Sequence, residues 1–110
     1  MPTAASAPPA GREEAKRLKR EQAEKRNALH KRLKPLKEAY AGREAELEGV
    51  LTEQAEVEQL LADPDIFADR TRTSELLARF EHCRTESERL LEQLAALEEE
   101  IRQMETASLT

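Results

Sequence analysis

L-L-A-D-P-D-I-F-A-D-R, residues 60–70, decides the fold. A proline cannot extend a helix that arrives from its N-terminal side, and it pushes the residue before it out of the α region. A helix running through Leu60 and Leu61 must therefore stop near Ala62. Asp69, or alternatively Thr71, then offers a side-chain oxygen to the free N–H groups of a new helix. The connection is only about seven to ten residues, which favours a second helix folded back along the first.

On both sides of this corner the apolar residues keep an alternating spacing of four and three. Upstream the series is Leu29, Leu33, Leu36, Tyr40, Arg43, Leu47, Val50, Gln54, Val57 and Leu61. Downstream it is Leu76, Phe80, Cys83, Ser87, Leu90, Leu94, Leu97, Ile101 and Met104. These are heptad a/d series. Folding at Asp63-Pro64 sets Leu61 near Leu76, Gln54 near Cys83, Leu47 near Leu90, Tyr40 near Leu97 and Leu33 near Met104. Leu51, Leu60, Leu77 and Leu91 are expected to widen the stripe, and Ile66 and Phe67 to fold down over its last layer. The centre is poor in apolar area because Gln54, Cys83 and Ser87 occupy it. Pro35, inside the pattern but away from the leucines, predicts a kink or a helix boundary. The expected architecture is all-α: a two-helix antiparallel coiled-coil hairpin over residues 33–105 with its turn at about 63–69. A flexible linker (1–11) and a basic helical arm (12–32) precede it, and a frayed tail (106–110) follows. A chain folded on itself is a monomer; heptads zipping two chains into a long dimer are the alternative.

Composition agrees with a thin seam. Seventy of the 110 residues are Ala, Glu, Lys, Leu or Arg, and there are only three aromatics, Tyr40, Phe67 and Phe80. That leaves too little material for a sheet, a barrel or a thick core. One cysteine, Cys83, excludes an internal disulfide and a multi-cysteine zinc site, and its seam position marks it as a small buried hydrophobe. His30 and His82 lie far apart, so neither a metal pair nor a Cys–His dyad follows. No catalytic constellation emerges. Residues 1–11, M-P-T-A-A-S-A-P-P-A-G, lack the basic and apolar regions of a secretory signal, and no run approaches the length of a membrane span. The expectation is a cytoplasmic chain without a membrane partner, and an opening Ala/Pro linker fits a segment of a larger protein.

The net charge of −5 conceals an uneven distribution. Residues 12–37 carry eleven Lys and Arg against four Glu, a net +7, so the rest of the chain is strongly acidic. At about 100° per residue, Arg12, Lys16, Lys19, Arg20, Arg26, Lys31, Lys34 and Lys37 share an arc of roughly 140°. The leucines occupy the adjoining arc, and Glu13, Glu14, Glu21 and Glu24 lie on the side away from them. A basic face of this kind neutralises phosphates, and with no aromatics or base-reading motif beside it, binding rests on backbone charge and shape. The alternative is a solvated face balanced by intrahelical pairs such as Glu21 with Lys25.

Basic arm, N-A-L-H-K-R-L-K-P-L-K (27–37), leucine heptads, L-A-D-P-D-I-F-A-D (61–69) and a second heptad helix occur here in an order that resembles the C-terminal domain of ABC-F ATPases. These are soluble ATP-binding cassette proteins acting on the ribosome. Asp63, Pro64 and Phe67 match an A-D-P-x-x-Y pattern at the tip, with Phe67 for the usual Tyr. Many members carry a Trp late in the second helix, where this chain has Leu94. The resemblance implies a non-catalytic accessory domain joined to two ATPase cassettes of the same parent chain, which would bind the ATP, and a contact with ribosomal RNA or DNA. The 110 residues contain no G-x-x-x-x-G-K-[ST] loop, so they have no such nucleotide cradle and no cofactor of their own is expected. The hairpin tip residues are Asp63, Pro64, Phe67 and Asp69. Two other readings arise: a structural hairpin whose acidic faces dock a protein, and a similarity to transcription factors whose acidic coiled-coil tip helps hold a catalytic Mg²⁺ in RNA polymerase.

Overall fold

The computed structural model describes residues 9–109, and every element among them is helical. Helix α1 spans Pro9–Leu61, the short α2 spans Pro64–Ala68, and α3 spans Arg70–Ser108. Together they form a rod of 99 × 19 × 16 Å. The expected linker lies mostly outside the described residues. Its last part is already helical, because Pro9 stands at a helix start, where its missing N–H and fixed φ cost nothing.

At the corner, each local choice has a partner. Asp63 takes an extended conformation (φ −76°, ψ 119°) and its carboxylate accepts from the Asp65 N–H at 2.9 Å, capping α2 with Pro64 as its first residue. Asp69 then does two jobs. Its backbone N–H donates to the Ile66 carbonyl at 3.0 Å, closing α2, and its side chain accepts from the Arg72 N–H at 3.2 Å, opening α3. Asp69, not Thr71, is therefore the cap. The Thr73 hydroxyl ties the two helices by donating toward the Ile66 and Phe67 carbonyls, at 3.1 and 3.2 Å. Asp69→Ala is expected to cost about 1 kcal/mol, read as a lower urea midpoint; an unchanged midpoint would mean that this cap contributes nothing.

Ile66 packs into a cluster with Val57 and Leu76, backed by Leu60, Leu61 and Phe80. Phe67 does not join it and stays 64% exposed, contrary to the expectation that both residues close the seam. The reason is the unanticipated helix α2: adjacent helical residues point about 100° apart, so only one of the two can face inward.

Contacts between α1 and α3 pair rising numbers on one with falling numbers on the other. Leu29 lies beside Met104, Tyr40 beside Ile101 and Leu47 beside Leu94, while Glu53 bonds Arg79 and Val57 packs on Leu76. All nineteen heptad positions are buried or half-buried, so the spacing identified the contact face at every turn. The flanks behave differently. Leu60 is half-buried against the tip cluster, but Leu51, Leu77 and Leu91 remain exposed, because two helices alone cover a narrower stripe than the leucines span.

Two further expectations are corrected. Of the kink or helix boundary expected at Pro35, the boundary is absent, since α1 continues through it. Its ring is on the exposed side, where the Lys31 carbonyl that loses its partner meets water. Helix α3 also outruns residue 105, ending at Ser108 with the Leu109 N–H bonded to the Thr106 carbonyl. Its last turns lie beside Lys25, Ala28, Leu29 and Arg32, so the part of α1 without a neighbour shortens to about residue 24. Gly42 and Gly49 face open space.

Candidate nucleic-acid interface

The first third of α1 has almost nothing to bury. Between residues 11 and 28 every side chain is exposed except Ala23, half-buried, and Leu18, the sole leucine there, is exposed too. Helical geometry alone then decides which groups share a face. Arg12, Lys16, Lys19, Arg20, Arg26, Lys31, Lys34 and Lys37 are all exposed, and among the described residues none of the eight forms an ion pair. The other three cations of the segment have different surroundings. Arg17 is held between Glu14 at 3.3 Å and Glu21 at 3.8 Å, so Glu21 pairs with Arg17 and not with Lys25. Lys25 and Arg32 flank the end of α3, which has no basic residue in its own last turn. Cations there complement the negative end of the helix dipole.

Helix α3 pairs four of its six arginines with glutamates, leaving Arg70 and Arg72 next to the corner without an ion pair among the described residues. Arg84 is shared by Glu81 and Glu88, Arg89 pairs with Glu86, and Arg102 with Glu99. These are exposed pairs worth little individually, but they leave those guanidiniums no charge to spare. Hydrogen bonds from the arginines, above all, hold the carboxyls of Glu81, Glu86 and Glu99 below the usual range. Such a pair supports the helix above the ordinary carboxylate pKa and loses that support as pH falls through the lowered value. A double-substitution cycle on Glu99 and Arg102 is expected to show coupling at neutral pH that vanishes on acidification; coupling that persists in acid would contradict this origin.

One ion pair crosses between the long helices, Glu53 to Arg79 at 3.3 Å. The leucine spacing did not single it out, although both residues adjoin seam positions, Gln54 and Phe80, where interhelical charge pairs belong. Below it lies Cys83, 1% exposed, with its thiol pushed up first by burial and then by the Glu53 charge. That makes it a poor nucleophile. A thiol reagent is expected to label Cys83 at least about 100-fold more slowly in the folded chain than in urea; equal rates would show that the seam is open. Among the described residues, the side-chain oxygens of Gln54, in the middle of the seam, and of Gln93 are buried without a hydrogen-bond partner, which costs stability.

At the far end, the carboxylates of Asp63 and Asp69 are engaged as caps, Pro64 starts α2, and Phe67 projects outward. The structure therefore keeps the two candidate regions apart, with the basic face toward the start of α1 and the tip beyond its end. Among the described residues, no helix is long and apolar enough to cross a membrane. Compared with protein-family models, curated proteins and solved structures, the chain gives no match.

Proposed function

We propose that this chain is a non-catalytic antiparallel coiled-coil hairpin that contacts nucleic acid through the basic face of α1. One observation carries the reading: among the described residues, eight cations share a face and none is paired, whereas along α3 only Arg70 and Arg72 lack an ion pair and Arg84, Arg89 and Arg102 are neutralised by glutamates three or four residues away. A face that served only solubility would have no reason to keep so many neighbouring cations without a carboxylate partner. The ABC-F resemblance supplies the context. In that reading the hairpin is the C-terminal accessory domain of a cytoplasmic ATPase, and it positions the cassettes on ribosomal RNA or DNA without binding ATP itself.

Salt titration tests this. If six phosphates are neutralised, the log–log slope of affinity against salt is near −5 on duplex DNA, from about 0.9 per contact. No retention of RNA or DNA at low salt would defeat the proposal. A second reading, protein docking, is favoured by the outward Phe67 and by the exposed Leu51, Leu77 and Leu91.

A further inference from the structure

We infer that the arm takes a nucleic-acid duplex, lying in a groove between two rows of phosphates, and not a single strand; this rests on the reading just given. The eight unpaired cations spread over an arc of roughly 140° around the helix axis, and the midline of that arc parts them into two rows. Arg12, Lys19, Arg26 and Lys37 form one row, and Lys16, Arg20, Lys31 and Lys34 form the other. An arc of cations this wide on a single helix reaches both of the strands that bound a groove. A single strand offers only one row of phosphates. Proteins that grip a single strand add aromatic platforms for its bases, and residues 11–39 contain no Phe, Tyr or Trp.

Accessibility points the same way. A B-form major groove of about 12 Å admits one bare helix of about 10–12 Å diameter, but not two side by side. Because α3 ends beside residues 25–32, α1 has no neighbour up to about residue 24, a length of ~23 Å. That portion can enter the groove, carrying Arg12, Lys16, Lys19 and Arg20, with Arg26 at its mouth. Glu14 and Glu21 then lie on the far side of the arm from the duplex, while Glu13 and Glu24 border the row of Arg20 and Lys31. Lys31, Lys34 and Lys37, on the paired part of the rod, reach phosphates at the rim.

The test uses the full 110-residue chain and fluorescence anisotropy on 20-mers of mixed sequence: single-stranded DNA, single-stranded RNA, and the DNA and RNA duplexes. At least one duplex is expected to bind ten-fold or more tightly than its single strands. A DNA preference assigns the major groove; an RNA preference assigns the wide, shallow minor groove of the A-form. Two row variants complete it, Arg12→Gln with Lys19→Gln, and Lys16→Gln with Arg20→Gln, each checked for unchanged helix content. Each is expected to weaken duplex binding ten-fold or more, because each row holds its own strand. Single strands bound as tightly as the duplexes, or either row dispensable for duplex binding, would overturn the groove inference while leaving nucleic-acid contact standing. Failure of all four probes to bind at low salt would instead overturn the underlying reading.

Discussion

Changing Lys16, Lys19, Arg20 and Arg26 together to glutamine is expected to weaken nucleic-acid binding about 1,000-fold at 0.1 M salt and to flatten the salt slope by three to four, following the ~0.9 dependence per contact. The four side chains are exposed and unpaired, so their loss removes no internal contact. Glutamine is a good helix former, and the helix itself should persist. Circular dichroism then separates a lost charge from a lost fold. The matching control is Arg84→Gln on α3, where Glu81 and Glu88 already neutralise the guanidinium. It is expected to leave affinity within about two-fold of the parent chain. Equal effects of the arm variant and the control would show that the whole rod attracts polyanions only diffusely.

The second large effect concerns stability. Leu90→Ala is expected to cost about 2–4 kcal/mol, whereas Leu91→Ala should cost well under about 1 kcal/mol. The two leucines are neighbours in sequence with the same helix propensity, but Leu90 is 1% exposed and Leu91 54%. Alanine at residue 90 leaves a void between two helices with few other layers to compensate. At residue 91 it removes a side chain already half in water. Urea unfolding followed by circular dichroism reads both. Similar costs at the two positions would mean that α3 presents another face to α1, or that a further chain covers the Leu91 flank.

This contrast also marks how far the sequence could be read. Heptad spacing located the contact face because a helix repeats every 3.6 residues whatever it packs on, and each seam position is indeed buried or half-buried. The stop at Asp63-Pro64 was legible for an equally local reason, the covalent geometry of proline. The basic face needed only the helical period as well. Whether its cations were spent on neighbouring carboxylates was a different matter, because Glu21 had both Arg17 and Lys25 within reach along the helix and took the former.

The sequence by itself determined the helical class, the corner, the seam and the segregation of charge, because each depends on properties that act within a few residues along the chain. Tertiary packing alone decided which of Ile66 and Phe67 turned inward, the exposure of Leu51, Leu77 and Leu91, and the length of arm left bare beyond α3. Each of those depends on what a second helix reaches or fails to reach. Spacing reveals the direction in which a side chain points, but only the neighbour opposite settles whether it meets protein or water.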